Sequence, residues 1–249
     1  MKKVFILFCV IMFISDSDCN ITELNPNDTT QVLYFVKKYL PKNPVIVEAG
    51  AFDGNDTKKM RRMWPKGKIH AFEPVPEIYG WLKKNIRKLS NIFTYNLALS
   101  DSNGSGLFNP SIYKKNPYAS GSLLRPKEHL KFVQDIQFEK PITVNMITLD
   151  DWARKNNIKY VDFLWFDMQG FELNVLMASS YILKTVQVIY TEVEFIEAYQ
   201  GQYVYKDVKN FLESQGFKLV AKDFKDHEAE NKDIKIGDRW YANAIFCRK

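Results

Sequence analysis

Residues 45–56, VIVEAGAFDGND, set two carboxylates, Glu48 and Asp53, around a turn that holds Gly50 and Gly54. An apolar run leads straight into that turn, and small residues there let a ligand approach the main chain closely. A phosphate cradle would want G-x-G-x-x-G at the mouth of a helix. Here Ala51-Phe52-Asp53 interrupts the spacing, and the carboxylates would repel phosphate. Glu48 and Asp53 suit a cationic ligand instead, one that carries an amino group and a sulfonium. The plainer alternative is an ordinary glycine turn with a solvated Asp.

About 20 residues after the turn, HAFEP closes a second apolar run with Glu73, where an acid can accept hydrogen bonds from both hydroxyls of a ribose. Its competing reading is a helix-capping acid ahead of Pro76. The two features in register point to an adenosine, and with the cationic preference to S-adenosylmethionine.

A third acidic group lies further on. Asp167 ends the run 161–166, and Glu192 and Glu194 end 186–193, the last two on one strand face. A carboxylate directly after VDFLWF is costly to bury without a partner. A carboxylate at such a strand end can take a proton from a bound hydroxyl. Asp167 is the expected base, with Glu192 or Glu194 orienting the acceptor. The alternative is a hard divalent cation held by the same carboxylates. Gln169 and Gly170 fall in the turn after Asp167, and Glu172 reads as the acidic cap of the next helix.

These groups need a scaffold that brings strand ends together. Strand-like runs at 45–49, 68–72, 92–97, 161–166 and 186–193 alternate with helical spacing at 31–40, 56–63, 77–89 and 171–177. That order implies parallel pairing with right-handed crossovers, and ligands of such sheets bind beyond the carboxyl ends of the strands. A helix at 205–214 precedes two last strands, 217–221 and 241–246, read as a hairpin across the charged loop 222–239. The expected fold is α/β, a seven-stranded, mostly parallel sheet with helices on both faces and the last strand antiparallel. Residues 142–148 read as an added edge strand. Residues 103–140, with Pro110, Pro117 and Pro126, read as an irregular insertion of the kind that carries specificity.

The blocks VIVEAGAFDGND, IHAFEPVPEIYGWL, NLALSD, ITLDDW, VDFLWFDMQGFELNVLMAS and VIYTEVEF, in this order over residues 45–246, resemble the FkbM family of S-adenosylmethionine-dependent methyltransferases. The resemblance implies the Rossmann-like class I methyltransferase fold, S-adenosylmethionine as cofactor, and O-methylation of a sugar, glycan or small metabolite. It also implies that Glu48, Gly50, Asp53 and Gly54 line the methionine end of the cofactor, Glu73 the ribose, and Val75, Asn96 and Ala98 the adenine surroundings. Phe52 stands where many methyltransferases of this fold have a smaller residue. The rival from another class is a secreted, non-catalytic glycan- or partner-binding domain that keeps the fold. Asp53 and Glu73 count against it, since such a module has no need of acids there.

The 249 residues are 46% hydrophobic and 26% charged, which excludes disordered and collagen-like chains, and three Cys are too few for a disulfide scaffold. The net charge of +6 is spread along the chain without a long basic block, so nucleic acid is not an expected partner. His70, His129 and His227 have no metal-ligand spacing with the Cys, and no metal is expected from them. Arg125 is a candidate for an anionic acceptor group, and Tyr118, Tyr199, Tyr203 and Trp240 for stacking on a sugar ring.

At the start, Lys2 and Lys3 precede an apolar run at 4–14 and then Ser15-Asp-Ser-Asp, the layout of a secretory signal cleaved after Ser17. The run is short for a bilayer, which needs roughly 20 apolar residues. Residues 1–19 are thus expected to be a signal peptide or short N-terminal anchor, with 20–249 a single domain that is secreted or exported. A membrane-anchored or cytoplasmic protein is the alternative. Cys19 and Cys247 could pair in an oxidising compartment or both stay free. Asn20, Asn27, Asn55 and Asn103 begin N-glycosylation patterns, for which polar loops are the plainer reading.

Overall fold

Three short apolar runs, VIVEA, FLWF and the start of VIYTEVE, are buried at every position. Strands covered on both faces by helices need such continuous runs. In the computed structural model, which describes residues 21–25, 28–231 and 233–249, they sit at the centre of the main sheet. The first half of the chain forms β1 (Thr22–Glu23), α1 (Thr29–Val36), β2 (Val45–Ala49), α2 (Asn55–Met63), β3 (Lys68–Phe72), α3 (Pro76–Ile86) and β4 (Ile92–Tyr95). Then come β5 (Ala98–Leu99), β6 (Gly104–Tyr113), β7 (Asn116–Ser122), α4 (His129–Phe132), β8 (Ile136–Phe138) and β9 (Ile142–Ile147). The rest is α5 (Leu149–Lys155), β10 (Phe163–Phe166), α6 (Glu172–Met177), β11 (Val188–Glu194), α7 (Tyr205–Ser214), β12 (Phe217–Lys222), α8 (Asp226–Glu230) and β13 (Tyr241–Arg248).

The main sheet runs β1-β12-β13-β11-β10-β2-β3-β4. Only β13 is antiparallel to its neighbours, as expected. The seven expected strands are all there, and the two-residue β1 adds an eighth beside β12. Alternation along each strand separates two apolar layers. Val47, Leu164, Phe166 and Ile189 face one layer with Trp152 and Val175, while Ile46, Phe163, Trp165 and Val188 face the other with Trp64 and α1.

One expectation is corrected. Residues 142–147 do not extend the edge of the main sheet; β9 pairs parallel with β5 and antiparallel with β6 in a second sheet, β5-β9-β6-β7, with β8 also on β6. The stretch read as irregular supplies most of that sheet. Its strands escape a sequence reading because β6 and β7 are rich in Gly, Ser, Pro and Asn. Their turn is also unmarked: Lys114 and Lys115 take φ of 48° and 68°, where a two-residue hairpin turn ordinarily uses Asn-Gly.

The expected signal segment, Cys9, Cys19 and the patterns at Asn20 and Asn27 lie outside the described residues; Cys247 is buried. No helix among the described residues is long and apolar enough to cross a membrane.

Candidate active site

The turn between β2 and α2 is built from left-handed residues: Gly50 at φ 86°, Phe52 at 47° and Gly54 at 79°. The glycines adopt this without steric cost, whereas Phe52 is strained. Two contacts hold it there. Its N–H donates to Glu73 Oε2 at 3.1 Å, and its ring meets Trp81 edge-on at 6.4 Å.

Each acid of the first two strands has defined partners. Glu48 is buried and accepts a 2.5 Å hydrogen bond from Thr57 Oγ1. Burial pushes its carboxyl up to about 8, against the pull of that hydroxyl and with added repulsion from Asp56 and Asp53. Asp53 accepts from Asn55 N at 3.0 Å and Asn55 Nδ2 at 2.7 Å, bonds that cap the turn. Glu73 accepts from Val75 N at 2.9 Å as well as from Phe52, and burial pushes it up to about 7. Asn96 donates to the main-chain oxygens of Glu73 and Pro74, both at 2.9 Å, and so holds the tip of β3 in place.

These tips open into a cleft of about 1030 Å³, its mouth included. Glu48, Gly50, Asp53, Glu73, Val75, Ala98 and Asp167 all line it, joined by Phe72, Ile78 and Phe171. Gly54 and Asn96 are not on its surface. The opposite wall is the second sheet, through Phe108, Ser111, Tyr118 and Ala119. Apart from Tyr118, a reading of the sequence did not single these out, because nothing in a Pro- and Ser-rich insertion shows which side chains turn inward. Thr57 was missed too; its one signal is its place in the first turn of the helix after Glu48.

Behind Asp167 stands a buried acidic cluster with Glu172, Glu192 and Glu194. Gln169, itself left-handed at φ 56°, donates from Nε2 to Asp167 Oδ1 at 2.9 Å and to Glu192 Oε2 at 2.5 Å. The Tyr199 hydroxyl lies 3.0 Å from Gln169 Oε1, and Ser122 Oγ donates to Gln169 O at 2.8 Å, which ties the second sheet to this loop. Glu192 and Glu194 do not line the cleft; Glu192 reaches it only through Gln169 and Asp167. Glu172 accepts from Met168 N at 2.5 Å, a cap of the loop into α6.

No described Lys or Arg pairs with any of the four. Burial, and then the charge of Asp167, holds Glu192 well above the usual carboxylate range, and burial also raises Asp167. Glu194 and Glu172 are raised chiefly by burial too, Glu172 to about 7. Burial thus shifts all four towards the neutral form, with Asp167 the member of the cluster that faces the cleft. Among the described residues no group of three or more His, Cys, Asp or Glu is arranged to hold a metal ion.

The remaining candidates separate cleanly. His70 and His129 are buried among aromatic rings, and burial lowers both to about 4, so they are neutral at pH 7. Tyr199 and Trp240 pack with His129, away from the cleft. Tyr203, Arg125 and His227 lie outside its lining.

Residues 48–219 match the methyltransferase FkbM domain. The chain belongs to the FkbM methyltransferase family. This FkbM chain is 34% identical over 182 residues to the 2-O-methyltransferase NoeI of Sinorhizobium fredii (strain NBRC 101917 / NGR234), a match covering 72% of this chain and 74% of that protein. It is 28% identical over 208 residues to the methyltransferase sdnD of Sordaria araneosa, with 73% and 76% covered. The crystal structure of methyltransferase FkbM from Methylobacillus flagellatus KT shares the fold, at a TM-score of 0.54 and 14% identity over 90% of this chain and 48% of that one. The protein is a methyltransferase with the class I, Rossmann-like fold.

Proposed function

We propose that the cleft binds S-adenosylmethionine and that the protein methylates a hydroxyl of a sugar, glycan or small metabolite. One observation carries this reading: the cleft is lined by carboxylates and apolar groups, with no Lys or Arg. Acceptors without cations suit an amine, a sulfonium and ribose hydroxyls, and disfavour phosphate. Glu48 and Asp53 would hold the amino-acid end, Glu73 the ribose, and Val75, Ile78 and Ala98 the flat base. When bound, the cofactor supplies a methyl group activated on sulfonium.

The protein's own part is to place the acceptor and take its proton. Asp167 faces the cleft, and burial raises its carboxyl above the usual range, which makes the carboxylate a stronger general base. Gln169 fixes its rotamer by bridging to Glu192. Glu192 and Glu194 thus act behind Asp167 and do not themselves touch the acceptor. The name 2-O-methyltransferase carried by NoeI supports a hydroxyl as acceptor, and the exposed Tyr118 at the cleft wall supports a ring such as a sugar.

Calorimetry with S-adenosylmethionine tests the reading. Binding in the range of about 1 μM to 1 mM is expected, weakened at least about tenfold by Glu73→Ala through loss of hydrogen bonds to a charged group. No heat from the wild-type protein would favour the non-catalytic binding module.

A further inference from the structure

A second groove, of about 800 Å³, lies between α2 and α3. Lys58 and Arg62 line it from α2, Lys84 from α3, and Arg87 and Lys88 from the turn that follows. No acid or aromatic ring is among its lining residues. None of the five cations forms an ion pair with a described carboxylate. Elsewhere Lys59 pairs with Asp56 on the same α2, and Lys131, Arg154 and Lys209 each find an acid three or four residues away, while other surface cations such as Lys155 and Lys159 stand unpaired but apart; what marks the groove is that five unpaired cations line one concavity.

Helix stability accounts for only part of this arrangement. A cation at a helix C-terminus complements the dipole, which covers Arg62, Lys84 and Arg87, but Lys58 sits in the first turn of α2, where a cation is unfavourable. Lys58 and Arg62 are also like charges four apart, a destabilising spacing. Five unopposed cations in one concavity suit a phosphoryl group, with Arg supplying a planar fork and Lys a point charge. We propose that the groove between α2 and α3 is a binding site for a phosphate-bearing ligand, separate from the cleft and opposite to it in charge. Asn85, also on the groove, donates to Asp53 O at 2.9 Å, so the site backs onto the glycine turn. The proposal stands independently of the methyl acceptor's identity.

The phosphoryl group could belong to a soluble phosphate ester or to an anionic lipid headgroup, and two measurements separate them. One is calorimetry with inorganic pyrophosphate; the other is flotation with phosphatidylcholine vesicles containing about a third phosphatidylglycerol, at about 0.1 M salt. Each is run on the full chain, on Arg62→Glu/Lys88→Glu, and on Lys155→Glu/Lys159→Glu, which changes net charge equally at exposed positions elsewhere. The expected result is binding to pyrophosphate, to the vesicles, or to both, weakened at least about tenfold by the groove substitutions and hardly at all by the distant ones. Circular dichroism checks folding, and Lys84→Gln/Arg87→Gln replaces the first variant if it misfolds. Absence of binding to both probes overturns the proposal, and so does equal loss in groove and distant variants. A single-stranded RNA that binds through these residues in preference to both probes would assign the groove to a nucleic acid and so overturn its reading as a site for a soluble phosphate ester or a lipid headgroup.

Discussion

A β-carbon placed on Gly50 would lie 1.8 Å from the main-chain oxygen of Asp167. Gly50 follows β2 and Asp167 follows the neighbouring β10, where Ala49 pairs with Phe166 and Asp167 N donates to Ala49 O at 3.1 Å. The absence of a side chain thus brings the glycine turn and the proposed base into direct contact. Gly50→Ala meets both this overlap and the left-handed φ, and is expected to cost more than about 3 kcal/mol. Gly80→Ala, in α3 with open space around it, should instead stabilise by about 0.5–1 kcal/mol. Urea unfolding of the two variants checks the contrast, and a Gly50→Ala protein as stable as wild type would disprove the packing.

Asp167→Asn keeps the hydrogen bond from Gln169 in shape but removes the proton acceptor from the cleft. Turnover should fall about 10²- to 10⁴-fold, while affinity for S-adenosylmethionine, measured by calorimetry, stays nearly unchanged. Undiminished turnover would remove Asp167 from the mechanism.

Stability of the unliganded protein should fall as pH rises from about 6.5 to 8. Glu48, held up to about 8, and Glu73, held up to about 7, keep their protons in the folded protein, whereas unfolded carboxyls have lost theirs. Unfolding therefore releases protons, and each such group removes up to about 1.4 kcal/mol per pH unit until its folded pKa is passed. Below about 6.5, His70 and His129, held down to about 4, work in the opposite sense because their unfolded forms take up protons. Urea midpoints at several pH values should show a shallower decline above pH 6.5 for Glu48→Gln; an unaltered slope would contradict the assignment.

Tyr118, 43% exposed and on the cleft wall, should contribute to acceptor affinity. Tyr118→Ala is expected to raise KM for the acceptor by about 3- to 10-fold, the worth of one aromatic contact, with cofactor affinity intact. Steady-state kinetics at saturating cofactor decide it, and an effect on cofactor binding alone would point to a different role.

Much of the scaffold was legible because a parallel strand between two helical layers must be an uninterrupted apolar run, as VIVEA and FLWF are. Glu48, Asp53 and Glu73 were legible for a related reason: they stand where such runs end, and strand ends form the ligand edge of the sheet. Asn96 shows where this stops. Its place after β4 is readable, but its amide grips the main chain of Glu73 and Pro74 and does not face the cleft. Likewise Glu192 and Glu194 share a strand face in sequence, yet neither lines the cleft, and Glu192 stands behind Asp167 and Gln169.

The amino-acid sequence by itself determined the order of the parallel strands, the family and the acids at the strand tips, since these follow from local periodicity and short spacing. Tertiary structure alone decided that Gly- and Pro-rich residues fold into a second sheet that walls the cleft. It also decided that, of the acids at the ends of β10 and β11, Asp167 is the one facing the cleft, and that cations from two helices converge on one groove. Each of these depends on contacts between residues far apart in sequence, and side-chain direction across such contacts is set by packing and not by composition.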